Sequence, residues 1–204
     1  MNNIRIKQDL HIHTTYSFGD SAVVPQQTVQ LIENLNHAEL RGISDHFGYL
    51  KGDVFQKYKA DLHQHGFYCG CEVNDSIDVL EAVNYSFDYF IYHCRDKASE
   101  YKGAERLVET GKPVIISHPI AIGADLDKVP TDCYIEVNNR YIWKAENYKA
   151  FYTPHLSRFR FVIGSDAHQP NWLNQTVARY AAAQMGIEET MVFSAPFQSQ
   201  TKSL

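Results

Sequence analysis

Six short segments constrain this chain more than any other feature, because in each an apolar run ends in a histidine or a carboxylate. They are Q-D-L-H-I-H-T at 8–14, G-I-S-D-H at 42–46, C-G-C-E-V-N at 69–74, F-I-Y-H-C at 90–94, V-I-I-S-H-P at 114–119 and V-I-G-S-D-A-H at 162–168. Between them lie stretches with helical apolar spacing, such as Val29, Leu31, Ile32 and Leu35. Strand–helix alternation predicts a parallel α/β fold. Strands are expected over 4–12, 40–44, 67–73, 87–93, 113–118, 134–138 and 159–164, and helices over 26–37, 54–65, 77–83, 97–110, 143–152 and 172–185. Residues 119–132 read as loop or weak helix. A doubly wound sheet would gather side chains along one crevice. A barrel points the carboxyl ends of all its strands at one mouth, which is where these polar residues fall. The expected fold is therefore a (βα)7 TIM-like barrel spanning residues 1–193, with a loose polar tail over 194–204.

Imidazoles and carboxylates in this arrangement are the donor set of first-row transition metals. His11 and His13 are two apart on an expected strand and so share a face. Asp166 and His168 repeat that spacing on the last strand, and first and last strands are neighbours in a closed barrel. Asp9 is expected on the face of His11, as an orienting group. Asp45 should point away from His46 and either fix a loop or support a ligand. His37, His63, His65 and His155 fall on helices or turns and read as surface residues.

Composition excludes several classes. The net charge is −5, with no basic run, so stable nucleic-acid binding is not expected. No apolar stretch is long enough for a membrane span, and the first residues lack a signal-peptide pattern. Cys69, Cys71, Cys94 and Cys133 read as small buried residues in a reducing cytoplasm, and the Cys69–Cys71 spacing is not that of a zinc site.

In order, D-L-H-I-H-T-T-Y-S (9–17), S-D-H (44–46), G-C-E-V-N (70–74), His93, S-H-P (117–119) and G-S-D-A-H (164–168) resemble the polymerase and histidinol phosphatase (PHP) domain family over nearly the whole chain. The resemblance implies a distorted seven-stranded barrel holding two or three zinc, manganese or iron ions. By that analogy His11, His13, Glu72 and Asp166 hold one ion, Glu72, His93 and His118 a second, and Asp20, His46 and His168 a third. Asp20 departs from the family pattern, since S-F-G-D-S places the acid later than the usual S-D-G; otherwise it caps the loop before Pro25. Glu72, Asp166 and His168 are the implied catalytic residues.

The implied reaction is hydrolysis of a small phosphorylated substrate, a histidinol-phosphate-like monoester, by hydroxide held between ions. Arg95, two residues beyond His93, is the first candidate for binding phosphate and Arg140 the second; both follow strand ends. Glu136 and Asn138 share a face of the sixth strand, lining either the pocket or the barrel interior. Tyr16, Phe18, Tyr49 and Trp143 read either as an aromatic rim or as packing. The alternatives are a metal-dependent nuclease or phosphodiesterase, a non-catalytic PHP scaffold, and an amidohydrolase-like C–N hydrolase. Glu72 at the bridging position, where such hydrolases often carry a modified lysine, argues against the last.

Overall fold

The computed structural model describes residues 6–197. Seven parallel strands follow one another around a nearly closed barrel: β1 (Ile6–Asp9), β2 (Ala38–Ile43), β3 (Tyr68–Val73), β4 (Tyr89–Tyr92), β5 (Val114–Ile116), β6 (Tyr134–Asn138) and β7 (Arg160–Gly164). Each strand pairs with the next in the chain. Closure comes from a parallel bridge between Ile12 and Ala167, beyond the ends of β1 and β7. His13 donates its backbone N–H to the Ala167 carbonyl at 2.9 Å, and Ala167 donates to the His11 carbonyl at 3.4 Å.

Helices α1 (Val29–Leu35), α2 (Asp53–Gln64), α3 (Ser76–Ala82), α4 (Ala98–Val108), α5 (Pro119–Ile122), α6 (Tyr148–Tyr152) and α7 (Thr176–Met185) fill the connections. Thr28 caps α1 by accepting from Leu31 N, and Asp75 caps α3 by accepting from Ile77 N and Asp78 N. α1 therefore begins after Pro25 rather than at it. The expected helix over 143–152 is interrupted at its start: a 3-10 turn, Ile142–Lys144, precedes the short α6, which ends at Tyr152 as expected, with Pro154 in the 3-10 turn that follows.

Two apolar layers result. The larger lies between barrel and helices and includes Ile12, Ile32, Leu62, Cys69, Cys71, Leu107 and Ala182. The smaller fills the barrel with Leu10, Leu40, Tyr89, Ile91, Ile115, Tyr134 and Val162. Tyr89 crosses this interior: a Cβ at Gly42 or Gly70 would collide with its ring, and its hydroxyl donates to the Leu10 carbonyl at 2.7 Å. All four cysteines are free and buried. Among the described residues no helix is long and apolar enough to cross a membrane.

The start of the tail is not loose. Phe193 stacks on Tyr68 with ring centroids 3.7 Å apart, Tyr68 donates to the Ala195 carbonyl, and Phe197 stacks on His63. Residues 198–204, and residues 4 and 5 of the expected first strand, lie outside the described residues.

Candidate metal centre

Period-two alternation carries the site upward from the barrel interior. Glu72 follows Gly70 on β3, His93 lies one residue beyond β4 in step with Ile91, and Asp166 lies two residues beyond β7, after Gly164. On β1 the alternation breaks. Leu10 belongs to the interior layer, yet the next residue, His11, also faces the centre. The chain has left regular β geometry after Asp9, and the shift reverses the expectation for that residue. Asp9 does not orient His11. It accepts from Ser165 N at 3.1 Å and lies 3.0 Å from His37 Nε2.

Glu72 is the centre of the cluster. Its Oε1 lies 2.7 Å from His93 Nε2, 3.2 Å from His11 Nε2 and 3.5 Å from His118 Nε2. Its Oε2 lies 3.0 Å from His46 Nδ1 and 3.3 Å from His13 Nε2. Asp166 Oδ1 is 3.7 Å from both His11 Nε2 and His13 Nε2. Asp20 Oδ2 closes the outer side, 2.9 Å from His168 Nε2 and 3.2 Å from His46 Nε2. Asp20 also accepts from Ala22 N, so it fixes its own loop while reaching the site. All the expected ligands therefore converge.

Three groups of donors each lie within 4.8 Å of one another: His11, Glu72 and His118; His11, His13 and Asp166; His13, His46 and His168. The grouping differs from the expected one in three places: the group of His11, His13 and Asp166 lacks Glu72, His11 stands in place of His93, and His13 in place of Asp20.

The donors fit a metal. His11 Nε2, His13 Nε2 and His46 Nδ1, each within 3.3 Å of a Glu72 oxygen, are buried without a hydrogen-bond partner. Carboxylate oxygens stand close to several of them, but not at hydrogen-bonding angles. A buried polar atom left unpaired is costly, and a shared cation satisfies several at once. Two ligands also sit in left-handed backbone, His118 (φ 29°) and Asp166 (φ 54°), conformations that non-glycine residues hold only when their surroundings impose them.

Electrostatics split the imidazoles. Burial lowers the pKa of His13 well below its ordinary value, helped by His168 and His46, so it is neutral and ready to ligate. Burial also opposes charge on His11, but Glu136, Asp166 and Glu72 outweigh it and hold the pKa well above 6.5. His46 is likewise raised to about 9, its burial overcome by contacts with Glu72 and Asp20. Glu72, despite complete burial, is held well below the carboxylate range by His93 and His11.

A supporting layer fixes these ligands. Glu136 accepts at Oε1 from His11 Nδ1 (2.8 Å) and at Oε2 from His118 N (2.7 Å) and Asn138 Nδ2 (2.9 Å). This leaves His11 Nε2 to face the cluster. A Cβ at Gly164 would overlap Glu136 Oε1, so the glycine makes room for that carboxylate. Asn138 Nδ2 also reaches Asp166 Oδ2 at 3.3 Å. Asp45 fixes a loop: it accepts from the backbone N–H and hydroxyl of both Thr14 and Ser17. Burial pushes Asp45 up to about 6 against those hydrogen bonds.

The two arginines separate. Arg140 Nη1 is 3.5 Å from Asp166 Oδ1 and 3.3 Å from each ring nitrogen of His168. Arg95 Nη1 donates instead to the Asn74 carbonyl at 2.7 Å. Of the aromatic residues, Tyr16 is tied to Asp61 of α2, whereas Phe18 and Tyr49 pair at 4.8 Å and Tyr49 approaches His46. The remaining histidines are away from the cluster but not free on the surface: His37, His63, His65 and His155 each lie beside an aspartate, Asp9, Asp88, Asp61 and Asp127.

No protein-family model matches the chain, and no curated protein does.

Proposed function

We propose that this protein is a metal-dependent phosphoesterase of the PHP type, acting on a small phosphate ester. The observation that carries the reading is the convergence of buried imidazoles around one glutamate, with His11 Nε2, His13 Nε2 and His46 Nδ1 unpaired beside its oxygens, and an arginine at the edge of the same cluster. Divalent ions held there would supply Lewis acidity toward a phosphoryl oxygen and lower the pKa of water to roughly 7. Glu72 has both oxygens among the imidazoles, as a bridging carboxylate requires. Asp166 sits between His11, His13 and His168, and Asn138 fixes its other oxygen. Arg140 presents N–H groups to an anion arriving beside Asp166 and His168, the geometry suited to a phosphate oxygen.

Phosphate esters are preferred to amides because the central position holds a glutamate and the edge of the site holds a cation. The test is metal analysis of the purified protein together with turnover of phosphate esters, amides and lactams. Retained metal and phosphate-ester turnover that disappears on chelation and returns with added Mn²⁺ or Zn²⁺ are expected. Equal turnover after exhaustive chelation would refute the reading. The same assay on Asp166→Asn, checked for folding by circular dichroism, should show loss of turnover and of metal together.

A further inference from the structure

A cavity of about 400 Å³ opens beside the metal centre, with Asn139, Arg140, Trp143, Lys144, Trp172 and Asn174 among its walls. Arg140 joins the two spaces, since its guanidinium also contacts Asp166 and His168. We propose that this cavity is the subsite for the leaving group, and that it selects a flat aromatic group carrying a negative charge. The proposal rests on the phosphoesterase reading and deepens it.

Three observations carry it. First, the cavity has two tryptophans, and they are the only two in the chain. They come from different turns, Ile142–Lys144 after β6 and Pro170–Trp172 after β7. Trp143 is 65% exposed and is not a member of the core, an apolar surface that a bound ring would cover. Second, both cations of the cavity lie against rings. Arg140 lies 5.3 Å from the Tyr141 centroid and 5.2 Å from that of Trp172, while Lys144 Nζ lies 5.1 Å from Trp143 and 5.5 Å from Tyr141. These contacts hold the charges at the ring faces. Third, no acidic side chain is among the walls. An ammonium-bearing leaving group would meet two like charges there, which is unfavourable. Arg140, nearer the metal centre, serves the transferred phosphate, and Lys144 serves a second anionic group on the ring. Hydrolysis forms a P–O bond to water oxygen and breaks the P–O bond to the aryl oxygen, which leaves as the phenol with a proton from that water.

Tryptophan emission reports this cavity directly, because no other tryptophan contributes. The Mn²⁺-loaded protein is titrated with 4-carboxyphenylphosphonate, which is not hydrolysed, and its kinetics are compared on 4-carboxyphenyl phosphate, phenyl phosphate and phosphoethanolamine. The phosphonate should quench the emission. KM should be about tenfold lower for 4-carboxyphenyl phosphate than for phosphoethanolamine, with phenyl phosphate between them. Trp143→Ala should raise KM for both aryl esters about tenfold without changing that for phosphoethanolamine, and Lys144→Ala should raise KM for the carboxylated ester, leave that for phenyl phosphate unchanged and lower that for phosphoethanolamine. Unchanged emission, or an unchanged KM for 4-carboxyphenyl phosphate in Trp143→Ala, overturns the assignment. Quenching without turnover of any phosphate ester supports the cavity and refutes the phosphoesterase reading, whereas turnover without quenching does the opposite.

Discussion

Among the described residues Ile12 and Ala167 form the one parallel bridge that joins the two ends of the sheet, and the residues on either side of each are metal-ligand candidates. His11 and His13 flank Ile12, and Asp166 and His168 flank Ala167. Because alternate residues face opposite ways, the bridging pair packs outward into the core while its neighbours face the cluster. The seam that closes the barrel is thus also the frame of the metal centre. On the proposed reading, stability and metal affinity are coupled through the two backbone hydrogen bonds of this seam.

Ala167→Pro tests that coupling. It removes the N–H that bonds to the His11 carbonyl. We expect a loss of roughly 3 kcal/mol in urea unfolding, from the missing bond and the ring's steric conflict. Metal content should fall with it. Normal metal binding in the variant would uncouple seam from site.

Glu136 is expected to act through His11 and not on substrate. Glu136→Gln keeps the shape but removes the charge that pairs with His11 Nδ1. Metal affinity, measured by competition with a chelator, should fall by about 10- to 100-fold. Gly164→Ala should do the same by a different route, forcing the carboxylate aside, and should cost about 1–3 kcal/mol of stability as an overpacking change. If both variants bind metal normally, Glu136 is only a packed interior group.

These residues mark the boundary of what the sequence discloses. The i, i+2 pairs and the apolar runs before them were legible because strand alternation is local, and they located the barrel and the side chains that converge at its mouth. Glu136 and Asn138 were visibly on one face, but their role was not, since His11 lies 125 positions away from Glu136. Asp9 was misread because the alternation slips between Leu10 and His11. The helix expected over 143–152 broke because its first turn faces the cavity beside Arg140, where Trp143 stays exposed. Local pattern fixes periodicity; it does not encode where two distant strands meet.

Arg95 is the first choice in the sequence, yet it is Arg140 that lies beside Asp166 and His168 in the structure. Arg140→Ala should raise KM for a phosphate ester by about 10- to 100-fold, the loss of a charge-assisted contact to phosphate. Arg95→Ala, which loses a hydrogen bond to the Asn74 carbonyl, should change KM by less than about threefold. Steady-state kinetics of the two variants decide the matter, and a larger effect at Arg95 would reverse the assignment.

The pH dependence of stability should differ between the metal-free and the metal-loaded protein. Without metal, His46 has a folded pKa of about 9 against an ordinary 6.5, and His11 is also raised. A raised histidine contributes stability that is complete below 6.5 and is lost as pH climbs through the folded value. The lowered histidines, His13 and His168, have the opposite sense, but their contribution is already complete above about 6.5, where the unfolded chain has lost its protons. Between pH 7.5 and 9 the metal-free protein should therefore become less stable. Metal binding requires neutral imidazoles, so it releases protons, and its affinity rises over the same interval. The Mn²⁺-loaded protein should then gain, relative to the metal-free one, as pH increases. Urea midpoints at pH 7.5 and 9, in chelator and in Mn²⁺, measure both slopes. Parallel slopes would show that His11 and His46 do not exchange protons for metal.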